Sequence, residues 1–322
     1  MGKGLTGSVR WAAILLLVLP GSVNEFLSSA TPLSALVFDP IVLPFILGFY
    51  GAGVLAIREL AVRWGKGWPS LLLMGAGFSI ALEGLAARTF FAANNPSVGF
   101  FSTYGRLDGI NWIWALMVVL IESLYAVALP ILVVDRLLPE SSGRSLIPTS
   151  ALGLCLVSFS AFPIAISLLV TPRPDPVDLG LTALVAGGLW ALAYVVPREV
   201  DRLVGQGEAR SPRLLLVAGT LFSASLVLVN AVLVHEAPPW VTIAVLVALF
   251  AAVLIFAGRT IHGGFARRAS VAWSAGLLAY FFVGDVTRGV SGEPDLLFVL
   301  AAFIALLWLT WSVASRCESG NH

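Results

Sequence analysis

The chain has 322 residues, of which 58% are hydrophobic and only 11% charged, with a formal net charge of +1. Its mean hydropathy of +0.95 excludes a water-soluble globular domain, because such a surface needs far more charge to stay in solution. Near-neutral charge also leaves no electrostatic footing for nucleic acid.

Runs of ~20 mainly apolar residues, enough to cross a ~30 Å hydrocarbon core, recur along the whole sequence. They are apolar on every face rather than alternating with period two. Backbone polar groups in lipid must be bonded within the segment, so helices are selected over a barrel. The expected fold is all-α, a polytopic transmembrane helical bundle of about ten spans with both termini in the cytoplasm.

The first span is placed at 8–29, behind Lys3 and Arg10. This opening resembles a signal peptide, with Ser28-Ser29-Ala30 as a cleavage site, but apolar character resumes through Val23, Phe26 and Leu27 and favours an uncleaved helix. The span carries Glu25. The second, 41–64, carries Tyr50, Arg58, Glu59 and Arg63; the third, 69–91, carries Glu83 and Arg88. A long outer loop from Ala92 to Ile110 follows, with Asn94, Asn95, Phe100, Phe101, Tyr104 and Arg106. The fourth span, 110–137, opens on Asn111, Trp112 and Trp114 and carries Glu122. The remaining six are placed at 148–171, 179–197, 214–235, 240–258, 271–287 and 296–315. Prolines punctuate them, at Pro69, Pro148, Pro172, Pro174, Pro197 and Pro238-Pro239, because proline lacks an amide donor and restrains its neighbour.

Cationic side chains test this count independently, since short cytoplasmic loops collect Lys and Arg. Alternation from a cytoplasmic N-terminus puts Arg63, Lys66, Arg136, Arg144, Arg198, Arg202, Arg210, Arg213, Arg259, Arg267, Arg268 and Arg316 on one side. The other side keeps only Arg106, Arg173 and Arg288, with most of the loop acids. The expected location is the cell membrane.

Charge divides the chain at about residue 140. Residues 1–140 form a four-helix half that holds Glu25, Arg58, Glu59, Glu83, Arg88 and Glu122 within its spans; 141–322 form a six-helix half whose spans are apolar away from their ends. A charged side chain at mid-bilayer costs ~2.5–3.5 kcal/mol on insertion scales, so each must face protein, water or a partner. At ~1.5 Å per residue, Arg88 and Glu25 lie roughly 5–6 Å from the outer ends of their spans, Glu83 about 12 Å and Glu122 about 18 Å, like the wall of a funnel. Tyr50 comes to the depth of Glu83 and is expected to donate a hydrogen bond to it. Gly51, Gly53, Gly75 and Gly77 would let the second and third helices approach closely.

Glu25, Tyr50, Glu83, Arg88 and Glu122 are thus the candidates for binding a substrate or ion. Each has a plainer reading: Arg88 snorkelling to headgroups, Glu25 in the interface, Glu83 and Glu122 as packed protonated acids. Glu59 and Arg63, four apart, read as a structural ion pair with Arg58 beside them. In the outer loop, Asn94, Asn95, Tyr104, Arg106, Asn111 and Trp112 form either an interfacial aromatic belt or a lid over the funnel. His235, His262 and His322 have no ligand spacing, so neither a metal nor another cofactor is expected. Cys155 and Cys317 lie at different depths, which argues against a disulfide.

The stretch Ala81-Leu82-Glu83-Gly84-Leu85-Ala86-Ala87-Arg88 distantly resembles the first motif of CAAX-type intramembrane proteases, a glutamate pair followed by three residues and an arginine. Leu82 replaces the first glutamate, the arginine is one position late, and no histidine lies in a mid-membrane helix. More broadly, Pro20 to Pro139 resembles an uncharacterised set of bacterial and archaeal polytopic membrane proteins. The shared features are a glutamate-glycine-leucine segment, an asparagine-rich loop and Asn111-Trp112 opening a helix. Three readings follow: a small-solute transporter using Glu83 and Glu122, a membrane scaffold without catalytic role, and an intramembrane hydrolase. The partners expected are the lipid bilayer and a small solute or ion.

Overall fold

Lipid cannot solvate an ionised side chain, so helices that carry charge must be wrapped by helices that do not. The computed structural model shows that wrapping. It describes residues 2–28, 30–95, 98–168, 174–203, 211–261 and 267–289, with three helical positions at 301, 304 and 308. Eight helices there are long and apolar enough to cross a bilayer: α1 (Gly7–Phe26), α2 (Val42–Trp64), α3 (Trp68–Ala86), α4 (Trp112–Leu137), α5 (Thr149–Ile166), α6 (Pro176–Val195), α7 (Pro212–Glu236) and α8 (Pro239–Phe256). A ninth, α9 (Arg267–Gly289), contains a shorter apolar stretch, Ala269–Phe282. All nine fall where the sequence places spans. The tenth predicted span, apart from those three positions, and His262, His322 and Cys317 lie outside the described residues.

Three of the four charged helices are the central ones. In α2, α3 and α4, 72%, 61% and 78% of the apolar window is buried, against 17% in α5 and 11% in α6. The outer helices turn Leu154, Val157, Ile164, Leu184, Val195 and Leu221 outward, as a lipid-facing surface requires. A continuous core joins the inner and outer helices, from Leu16 of α1 through Phe78 and Tyr125 to Leu277 of α9. Part of it is a stack of rings: Phe78 lies flat on Phe159 at 5.5 Å and Phe159 on Trp190 at 5.6 Å, with Phe49 at 4.9 Å from Phe78. Aromatic pairs of this kind contribute ~0.5–1.5 kcal/mol each beyond burial. The Trp190 indole also donates to the Met74 carbonyl at 3.0 Å.

Of the four glycines expected to bring α2 and α3 together, Gly53 lies against Phe78 of α3, and the other three face other helices. A Cβ at Gly51 would meet the Leu17 carbonyl oxygen of α1 at 2.0 Å; at Gly53, Phe78 and Phe159 at 2.8 Å; at Gly75, Ser123 of α4 at 3.2 Å; at Gly77, Trp190 of α6 at 2.5 Å. Each small residue faces a different neighbour because α2 and α3 sit at the centre, packed on all sides. Gly51→Ala puts a methyl against backbone that cannot yield, so it is expected to destabilise by about 1–3 kcal/mol, read as a lower thermal midpoint in detergent. In α7 and α9, Gly219 and Gly276 meet backbone to backbone.

At the end of α2 predicted to be cytoplasmic, an ionic clamp holds the 138–149 connection. Arg58, 1% exposed, donates to Glu59 at 3.2 Å, to Asp135 at 3.4 Å, to the Ser141 carbonyl at 2.7 Å and to the Arg144 carbonyl. Glu59, fully buried, accepts from Arg63 at 3.3 Å, from Ser145 Oγ at 2.6 Å and from the Leu146 amide at 2.6 Å. The expected Glu59–Arg63 ion pair is present, as one edge of this larger network.

Four of the five π-helical turns among the described residues cluster in the charged helices: Ser22–Phe26 in α1, Phe45–Gly51 in α2, Ile80–Ala86 in α3 and Ser123–Ala128 in α4. Pro20, Pro44 and Pro130 border three of them. Proline cannot donate to the preceding turn, and the ladder relaxes locally to a wider register. Such insertions frequently mark functional sites.

Candidate functional site

The four π turns meet at one place. Asn24 and Glu25 sit in the first, Tyr50 in the second and Glu83 in the third, while Glu122 immediately precedes the fourth. An inserted residue turns the chain beyond it by about 100° relative to a regular helix. It thereby aims polar side chains at the bundle centre while the flanking turns keep their apolar packing.

A chain of hydrogen bonds joins three of the helices. Asn24 Nδ2 donates to Glu122 Oε1 at 3.2 Å and to the Tyr50 hydroxyl at 2.6 Å. That hydroxyl donates in turn to Glu25 Oε1 at 2.7 Å, and Glu25 Oε2 accepts from Thr31 Oγ1 at 2.5 Å. Glu122 is 3% exposed and Glu25 8%. The Ser79 hydroxyl lies beside Glu122, but its hydrogen bond runs to the Val118 carbonyl at 3.4 Å. Oε2 of Glu122 is therefore buried with no hydrogen-bond partner among the described residues.

Two expectations change here. Tyr50 donates to Glu25 rather than to Glu83, because the π turn in α1 brings Glu25 across its hydroxyl. Glu25 and Glu122 were placed at opposite ends of a descending wall. Two side chains, Tyr50 and Asn24, are enough to link them. Glu25 is enclosed by protein.

Glu83 is held by a second set of bonds. Its carboxyl accepts from Thr89 Oγ1, and Thr89 Oγ1 accepts from the Trp114 indole at 2.8 Å. Thr89 is six residues further along and reaches back because α3 stops abruptly: Arg88 takes a left-handed conformation, φ 56°, which costs a non-glycine residue about 1–2 kcal/mol. Arg88 is 4% exposed, so its side chain is enclosed and does not snorkel outward. Glu83 remains partly exposed between buried Leu82 and Gly84. Glu83 and Glu25 both lie within electrostatic range of Glu122.

The loop between α3 and α4 is fastened to this second set. A two-residue antiparallel ladder, β1 (Arg106–Leu107) with β2 (Ile110–Asn111), turns at Asp108 and Gly109, both with positive φ. Asn111, fully buried, donates to the Thr89 carbonyl at 2.9 Å and the Ala92 carbonyl at 3.1 Å, and accepts from Arg106 at 2.6 Å. Arg106 also donates to the Phe91 carbonyl at 2.9 Å. Tyr104 ties the loop to the α7–α8 corner, through the Ala237 carbonyl at 2.9 Å and Thr242 Oγ1 at 2.7 Å. Asn94 is exposed, Asn95 partly so, and Trp112 is 49% exposed with its indole on the Leu107 carbonyl; these three sit at the surface.

Asn24, Thr31 and Thr89 were missed as members of the site. Asn24 had a signal, a polar residue beside Glu25 in an apolar span. Thr89 had none, because only the left-handed turn at Arg88 returns it to Glu83. Of the histidines, His235 packs on Phe100 at 4.5 Å between ring centres. A family model described as "Uncharacterized membrane protein family" matches residues 14–319. No curated protein and no solved structure matches the chain.

Proposed function

We propose, from the premise that the chain belongs to this uncharacterized membrane protein family, that it is a transporter moving a small solute or ion across the cell membrane through the Glu25–Glu83–Glu122 cluster. One observation carries the reading. Three carboxyls from three different helices sit in or beside π turns, each buried or half-buried, and one carboxyl oxygen there has no partner among the described residues. A merely structural acid fills its lone pairs, as Glu59 does in the clamp; Glu122 leaves one open. Ionisable groups enclosed between membrane helices mark substrate and ion pathways, and irregular helical turns at such sites recur in transporters.

In this reading the solute enters from the outer side, passes the loop from Ala92 to Ile110, and meets Glu83 first, which is still partly exposed. Opening would require the Arg106–Asn111–Thr89 connection to shift, and that would release the Thr89 hydroxyl from Glu83. The Lys and Arg distribution supports ten spans with both termini cytoplasmic. The direct test is purified protein in proteoliposomes, assayed for uptake of labelled small cations against protein-free vesicles; uptake equal to the protein-free control would rule the reading out.

The loop makes a separate expectation. Tyr104→Phe removes the hydroxyl shared between Ala237 and Thr242, at about 0.5–1.5 kcal/mol per hydrogen bond. Amide hydrogen exchange in residues 98–110 should quicken roughly threefold to tenfold, with the exchange of α2 unaltered.

A further inference from the structure

The donors in the cluster's hydrogen-bond chains are already committed, and what those chains still offer is acceptors. Asn24 has two amide hydrogens, and both are engaged, on Tyr50 and on Glu122. The single hydroxyl hydrogen of Tyr50 goes to Glu25, as does that of Thr31. Thr89 gives its hydrogen to Glu83, and the Trp114 indole gives its own to Thr89. Left over are Oε2 of Glu122, buried and without a partner among the described residues, and acceptor capacity on the partly exposed Glu83. A carboxylate or phosphate ligand brings no hydrogens to such a place and adds charge of the same sign. The fitting ligand supplies both hydrogen and positive charge.

The carboxyls are also spread out. Among the described residues no group of three or more Asp, Glu, His or Cys side chains is close enough to hold one metal ion, whereas hard cations gather six or more oxygens around a single point. Separated acceptors suit separate N–H groups.

We infer that the ligand is a small organic cation with several N–H groups, of the alkylammonium or guanidinium class, whose hydrogens reach Glu122 and Glu83 separately. This rests on the transport reading for its path but not for its binding chemistry. The full chain in lipid nanodiscs is titrated with labelled guanidinium, with methylammonium, tetramethylammonium and rubidium as competitors. The titration is repeated for Glu122→Gln and Glu83→Gln, each checked for an unchanged elution profile, and the same probes plus acetate are followed into proteoliposomes. Guanidinium should bind, methylammonium should compete, and either variant should weaken binding about tenfold or more. Tetramethylammonium has the charge without the hydrogens and should compete poorly. Competition by tetramethylammonium or rubidium equal to that of methylammonium overturns the ligand class and leaves transport standing. Binding lost in the variants, with no probe entering vesicles, keeps the ligand class and overturns transport. Absent guanidinium binding, binding indifferent to both substitutions, or acetate uptake overturns the ligand class.

Discussion

Glu122→Gln is expected to lower uptake roughly 10- to 100-fold while leaving the protein at least as heat-stable as the wild type, on the scale of about 1.5–3 kcal/mol per hydrogen bond to a charged group. Glutamine keeps the side chain's volume, and its amide oxygen still accepts from Asn24, which bonds Oε1 at 3.2 Å. Its amide nitrogen then stands where Oε2 was, an atom with no hydrogen-bond partner among the described residues. Removing a buried ionisable group spares the cost of desolvating a charge, which offsets the amide hydrogens left there. A donor there repels the cation that the acceptor would bind. A scaffold predicts the opposite pattern, with altered stability and nothing to transport. Uptake at the wild-type rate in proteoliposomes containing the variant would remove Glu122 from the pathway.

Arg58→Met is expected to cost about 3–5 kcal/mol of stability, the range for removing one partner of a buried ion pair. Methionine replaces much of the stem but none of the donors. Glu59, with no exposed surface, loses a guanidinium bond at 3.2 Å, and the Ser141 carbonyl loses its donor at 2.7 Å. The connection from 138 to 149 is then held mainly by Arg63, Ser145 and the Leu146 amide. The measurement is the midpoint of thermal unfolding in detergent, alongside Arg63→Ala. Arg63 has a side chain 26% exposed, water replaces part of what it loses, and the smaller drop should be its own. A larger drop for Arg63→Ala would show that the clamp is centred elsewhere.

The candidate site was partly legible for a reason that can be named. Insertion of Glu83 and Glu122 into otherwise apolar runs is costly in any arrangement, so their presence alone directs attention to the centre of the bundle. Asn111 and Tyr104 were picked out by composition and turn out to anchor the outer loop. The Tyr50–Glu83 bond gives way to Tyr50–Glu25, and three of the four glycines face helices other than the expected one, for one shared reason. Both expectations assume regular helices, whereas π turns rotate the faces of α1 to α4. Pro20, Pro44 and Pro130 carried a hint of those turns, since a missing amide hydrogen loosens the local ladder.

What the sequence determined by itself is the membrane-spanning helical architecture and which helices must lie inside it, because hydrocarbon penalises every unpaired backbone group and every exposed charge, and that penalty is written residue by residue. Which carboxyl meets which hydroxyl was decided only by tertiary structure. Hydrogen bonds require donor and acceptor within about 3 Å, and a single inserted residue or one left-handed turn at Arg88 moves a side chain farther than that.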